Sequence, residues 1–429
     1  MNNPLDPRKT VQTFFKDRGH HHPPPRGKRL AAPPADLEAE AVGFPDVRLT
    51  VEEADEALKR VADRLTPARS LLGRDELNIL ALSGGAAGGA FGAGALVGLT
   101  KAGMRPEFAI VTGVSTGALI APFAFLGSEW DDRLADAYLG GHASELLSFK
   151  RLAPALSASL LRGEALDNLV APFVDEAMIR AVAHEHARGR RLLIATTNLD
   201  SQKATIWDMG EIASRGGEAA ERLFRDILVA SATLPGLFPP KLIDVEVPDG
   251  EGGVVRHQEM HVDGGVAAPL FLMPDALLRW RDLGARLRRG RVYVIFNTVL
   301  DPSPRTTQPG VASIMGRSFE TMLRFSYRQA LSVAAGFCAR HNLPLWVASI
   351  PTSLENFNMM KFETASMKRT FDDGEALALS GQLWSTPTPA PEPIWRGLFR
   401  RQPPQGRREA HTEIEVQHAA GPPTDLDVP

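Results

Sequence analysis

Gly113-Val114-Ser115-Thr116-Gly117 lies between an apolar run at 108–112 and a helix-compatible run at 116–126. A serine between two glycines at a strand-to-helix junction is the pattern of a nucleophile elbow. The turn is so tight that larger side chains at Gly113 and Gly117 would collide with the adjoining strand and helix. The helix behind the serine offers free N–H groups and the positive end of its dipole, and both favour developing negative charge. An ordinary β–α turn with an N-capping serine has the same five residues, so the pattern needs its surroundings. Working outward, short apolar runs at 77–82, 192–198, 204–207, 259–262, 292–297 and 345–350 read as strands, with helical patterns between them. This alternation predicts an α/β domain at 76–384 with a largely parallel central sheet and helices on both faces.

Two further motifs flank the elbow in the chain. Ser83-Gly84-Gly85-Ala86-Ala87-Gly88-Gly89 closes the first strand. A P-loop would need Lys and then Ser or Thr after Gly89, where Ala90 and Phe91 stand. A dinucleotide fingerprint starting at Gly92-Ala93-Gly94 would need a third glycine where Val97 stands. An oxyanion hole built from backbone N–H groups, or simple close packing of helix on strand, remains open. The other motif, Asp263-Gly264-Gly265, follows the strand at 259–262. By itself it is a common turn sequence.

Lys and Arg total 48 and Asp and Glu 51, a formal net charge of −3. So small a charge argues against nucleic acid as a partner. Cys338 is the single cysteine, so no internal disulfide and no Cys-rich metal site is possible, and its apolar neighbours place it in the core. No secretory signal and no membrane span is legible, which leads to the expectation of a cytoplasmic protein with peripheral membrane contact at most.

The ordered set of glycine loop, serine elbow and Asp-Gly-Gly resembles the patatin-like phospholipases. The block Ser231-Ala232-Thr233-Leu234-Pro235-Gly236-Leu237-Phe238-Pro239-Pro240 is also similar to the segment that precedes the aspartate in that family. The resemblance implies a three-layer patatin-like fold and a lipid ester as substrate. It implies Ser115 as nucleophile and Asp263 as general base, with no histidine, metal or cofactor. It further implies an oxyanion hole at Gly84, Gly85 and Ala86, with Gly84 or Thr116 as the variable member. Gly113, Gly117, Gly264 and Gly265 support the two turns. The chain departs from the family's usual loop, Gly-Gly-Gly-x-Arg-Gly. Ala86 replaces the third glycine and Gly88 replaces the arginine, so one fixed positive charge is missing.

A Ser-acid-His triad would need a histidine after Asp263, and only His341 is available within the domain. It is placed at a helix end, where histidine is common for electrostatic reasons. His261 shares a strand face with Asp263 and reads as structural, and His184 and His186 as surface residues. Apolar residues recurring over 146–174 fit an acyl-chain groove or plain core. Outside the domain, 1–48 reads as a disordered Pro/His/Arg-rich arm, 49–75 as an amphipathic helix and linker, and 385–429 as a disordered Pro/Arg-rich tail. Within that tail, Trp395-Arg396-Gly397-Leu398-Phe399-Arg400-Arg401 could touch anionic lipid or could simply be solvated. A catalytically inactive lipid-binding module is the competing function. The headgroup and the oligomeric state are not legible.

Overall fold

A computed structural model of the chain describes residues 29–50, 78–143, 164–270 and 290–386, apart from positions 36, 303 and 305 and the segment 353–357. The expected helix at 51–65, the apolar stretch at 146–161 and the tail around Trp395 lie outside the described residues.

The central strand β3 (Asn78–Leu82) is buried along its whole length. A run such as Asn-Ile-Leu-Ala-Leu, apolar on both faces, suits a strand covered on both sides, because parallel sheets are built that way. Its alternate residues face different cores. Leu80 and Leu82 join the large cluster that includes Phe91, Leu96, Ile120, Phe224 and Phe371. Ile79 and Ala81 join Val294, Phe296, Phe337 and Cys338 on the other face. The period of two thus yields helices above and below one sheet. On the first face lie α1 (Gly89–Lys101), α2 (Thr116–Leu126), α3 (Asp131–Leu139), α4 (Glu164–Val170), α5 (Glu176–Ala187), α6 (Met209–Arg215), α7 (Gly217–Ala232) and α9 (Thr364–Leu379). The long α8 (Val311–His341) covers the other. Cys338 is fully buried there, and desolvation raises its thiol to about 12, so it is inert core as expected.

The Gly/Ala run of α1 has a packing role. A Cβ on Gly94 would overlap the Phe371 carbonyl oxygen of α9, so the two helix backbones approach directly. Gly92 instead meets Asn297, whose Oδ1 accepts from its N–H at 3.2 Å, so both glycines have packing roles without a nucleotide.

The sheet has a parallel half and an antiparallel half. In the order β10-β9-β3-β4-β5, the strands Leu345–Ser349, Arg291–Phe296, β3, Ile110–Gly113 and Arg191–Asn198 run parallel. Beyond β5 the pairing turns antiparallel, through β6 (Lys203–Asp208), β8 (Val254–Asp263) and β7 (Lys241–Pro248). Two short strands, β1 (Glu40–Ala41) and β2 (Arg48–Thr50), add to β7 and β6. Residues 29–48 therefore differ from the arm expected over 1–48. Ala41, Phe44 and Val47 are buried, and Arg48 pairs with Glu259 at 2.8 Å. Single buried residues between prolines have no period, so composition alone misreads them.

One detail of this topology positions the site. Residues 191–194 of β5 pair with β4 on one edge, and 196–198 pair with β8. Since β6 holds the opposite edge, β4 and β8 share the first one. They run toward each other and stop at Gly113, opposite Ile194, and Asp263, opposite Thr196. The two strand ends meet head-on at Ala195.

Candidate active site

Ser115 sits just past the end of β4 with φ +56°, a left-handed conformation that a side chain adopts only when its surroundings compel it. The compulsion is visible at Gly117. A Cβ there would overlap the carbonyl oxygens of Leu82 and Ser83, so the start of α2 lies directly on β3. The Ser115 N–H donates to Ser231 Oγ at 3.0 Å, and Ser231 Oγ donates to the Ala195 carbonyl at 2.7 Å. Ser231, from α7, bridges the seam that the converging strands leave on β5.

Asp263 reaches the same seam from the other side. Its Oδ2 accepts a hydrogen bond from Ser115 Oγ at 2.5 Å, and its Oδ1 accepts from the Gly265 N–H at 2.7 Å. Thr197 Oγ1 holds its carbonyl at 2.9 Å. The carboxyl is buried, and desolvation outweighs the hydrogen bonds from Ser115 and Gly265, raising it to about 6. A carboxylate tuned upward and placed on a serine hydroxyl is a proton acceptor matched to neutral pH.

Gly85, Ala86, Ser115, Thr116 and Asp263 line one cleft. The N–H groups of Gly85 and Ala86 have no acceptor among the described residues, and that of Thr116 opens α2 beside the serine. Ala86 also has positive φ, +49°, turning the loop into the cleft. Gly84 does not line the cleft; it packs behind Ser115. Away from these polar groups the cleft is apolar, walled by Leu119, Phe123, Leu166, Leu169, Val170 and Phe238. Leu166 and Leu169 belong to the stretch at 146–174 that fits either an acyl groove or plain core, and here they line the cleft.

The histidines stand apart. His261 is fully buried, with Nδ1 2.9 Å from Thr196 Oγ1 and Nε2 3.1 Å from Glu259 Oε2. Trp207 Nε1 donates to Thr196 Oγ1 at 2.8 Å, so the threonine proton goes to His261 Nδ1 and the imidazole keeps its proton on Nε2. Burial lowers its pKa, and it braces β5 against β8. His341 ends α8, as expected, and its side chain lies outside the described residues. His184 is exposed. His186 departs from the surface expectation: its ring lies between Asp208 and Glu211, at 3.5 and 3.3 Å, because α5 packs on α6. Among the described residues no group of His, Cys, Asp and Glu could hold a metal ion.

One residue at the site carries no sequence signal. Tyr327 of α8 is 2% exposed and lines the cleft. A Cβ placed on Gly84 would lie 2.9 Å from its hydroxyl and 3.4 Å from Ser115 Oγ, so both oxygens border the same point. Burial and the charge of Asp263 push the phenol upward, which keeps it a neutral donor, and its hydroxyl has no partner among the described residues. A lone tyrosine inside a long helix belongs to no local motif.

The model of the family described as patatin-like phospholipase matches residues 80–275. Over these residues the chain is similar to the patatin-like phospholipases. The match begins in β3 and extends past Asp263, so it contains the glycine loop, the elbow and the Asp-Gly-Gly turn. No curated protein matches the chain. Among solved structures, the chain is similar to VipD from Legionella pneumophila, at 12% identity and TM-score 0.30, over 72% of this chain and 67% of that one. It is also similar to human GIVD cytosolic phospholipase A2 in complex with methyl gamma-linolenyl fluorophosphonate, at 13% identity and TM-score 0.33. That match covers 83% of this chain and 64% of the human protein, somewhat less than two thirds of its length. Tyr327 lies outside the patatin-like match.

Proposed function

We propose that the chain is a serine acyl hydrolase that cleaves carboxylic esters of lipids, with Ser115 as nucleophile and Asp263 as base. The observation that carries this reading is the 2.5 Å hydrogen bond from Ser115 Oγ to the buried Asp263 carboxylate at one end of an apolar cleft. Asp263 takes the hydroxyl proton as Ser115 Oγ attacks the ester carbonyl. The oxyanion that forms is held by the free N–H groups of Gly85 and Ala86, with Thr116 N–H beside the serine. Collapse expels the alcohol with the proton from Asp263 and leaves an acyl-serine. Water, deprotonated by Asp263, then attacks the acyl carbon and releases the acid. The cleft accepts the acyl chain, and its apolar wall favours a chain over a polar substituent. Peripheral contact with a membrane is part of this reading, because the substrate resides there.

A fluorophosphonate probe tests it directly. One probe per chain is expected on Ser115, and none on the Ser115→Ala variant. Failure to label the native chain, with lipid binding retained, would make the protein a lipid-binding module instead.

Tyr327 is assigned as a further donor to the oxyanion. Tyr327→Phe removes one oxygen from an otherwise unchanged ring, so kcat for a soluble ester is expected to fall about 10–100-fold with KM nearly unchanged. Steady-state kinetics checks this, and an unaltered kcat would remove Tyr327 from the mechanism.

A further inference from the structure

The outer end of α8 is unusual for a helix in a folded domain. Val311, Met315, Met322 and Phe325 are 75%, 67%, 65% and 65% exposed, and Ile314 is half exposed. At 3.6 residues per turn these five, together with Ser318, fall on one face. The stripe runs for about 20 Å along the helix. Isolated exposed apolar residues need no explanation, but a continuous stripe of large ones marks a surface that something covers. The stripe carries no charge. The ion pairs of this part of α8, Arg317–Glu320 and Arg324–Glu320, lie on the opposite flank.

What lies beside the stripe identifies its occupant. Phe319, Leu323 and Tyr327, spaced four apart, form the next row around the helix, and all three line the cleft that holds Ser115. Val266, 47% exposed, stands just past Asp263 and also lines the cleft. The exposed apolar face thus continues over the helix shoulder into the wall of the candidate acyl site. A bilayer asks for apolar side chains without directional partners, which is what the stripe presents.

We infer that the exposed face of α8 from Val311 to Phe325 is a lipid-docking surface that lays the cleft entrance against a membrane. This deepens the acyl-hydrolase reading and rests on it for the choice of a lipid as occupant. An acyl chain would pass from the bilayer along Phe319 and Leu323 to Ser115 without crossing bulk water. Binding through apolar side chains is also expected to persist in high salt, unlike binding by a basic tail.

The test uses the full chain and the triple variant Met315→Gln, Met322→Gln, Phe325→Gln, whose replacements are exposed and helix-compatible. Sedimentation with phosphatidylcholine vesicles and with phosphatidylcholine–phosphatidylserine vesicles is measured at low and high salt. The native chain is expected to bind both and to lose at most about twofold in high salt; the variant is expected to bind at least about tenfold more weakly. The variant should hydrolyse a soluble nitrophenyl ester within about twofold of the native rate, with an unchanged melting temperature. Equal vesicle binding by native chain and variant would overturn the inference. So would a native dimer that the variant converts to monomer, since a second copy would then be the occupant. Ser115→Ala should bind vesicles like the native chain. If the native chain hydrolyses neither the nitrophenyl ester nor the vesicle lipids, the functional reading fails, while the vesicle comparison still decides the surface.

Discussion

Ser115→Ala is expected to bring hydrolysis of a short nitrophenyl ester down to the uncatalysed background, a loss of at least about 10⁴-fold. The change removes one oxygen. In the proposed mechanism that oxygen forms the acyl bond, and the neighbouring N–H donors stabilise an oxyanion only after such a bond begins to form. The fold should be untouched. The Ser115 N–H bond to Ser231 and the packing of Gly117 on β3 do not involve the lost hydroxyl, and alanine meets the same positive φ of +56°. Ester hydrolysis followed beside circular dichroism checks both halves, and full activity in a folded variant would sink the serine mechanism.

Asp263→Asn is expected to lower the rate about 10²–10⁴-fold, because it keeps the shape of the carboxylate and removes the proton acceptor. The pH dependence gives an independent reading of the same group. As the proposed base, Asp263 works only when ionised, and burial raises it to about 6. In the native chain kcat/KM should therefore fall tenfold per unit below about pH 6 and level off above it. Stability carries the opposite sign. The folded pKa lies above the ordinary carboxylate value, so the folded state gains from protonation of Asp263. That gain is complete below about pH 4 and lost as pH rises through about 6. At neutral pH the ionised carboxylate then costs on the order of 3 kcal/mol. The asparagine variant escapes this cost and should melt above the native protein at pH 8, with the gap closing toward pH 4. Thermal melts of the two proteins across that range check it, and an asparagine variant that melts lower at every pH would contradict it.

Much of the domain was legible in local patterns. Strand β3, the elbow and α2 were read within two residues of their bounds, because an apolar run, a Gly-x-Ser-x-Gly turn and a helical run follow each other without ambiguity. Strand β7 carries a weak signal. Its alternation of Ile243, Val245 and Val247 was present, but every second residue is half-buried or exposed and the run ends on Pro248. Residues 29–50 escape local patterns for a different reason. Their order comes from contacts made by Arg48 and a few buried side chains with distant strands, and composition does not report such contacts. Asp263 could be singled out only by resemblance, since Asp-Gly-Gly is an ordinary turn.

What the sequence determined by itself is therefore local. Steric limits on glycine turns and the periods of two and 3.6 placed Ser115 at the head of a helix and gave the chain alternating strands and helices. Tertiary structure decided that β4 and β8 share one edge of β5 and stop on either side of Ala195, which brings Ser115 Oγ and Asp263 Oδ2 to 2.5 Å. It also decided that Ser231 bridges the seam, that Tyr327 of α8 lines the cleft that holds the serine, and that burial raises Asp263. The reason is physical. Strand register, desolvation and the facing of a long helix depend on residues far apart in the chain, and no short stretch of sequence contains both partners.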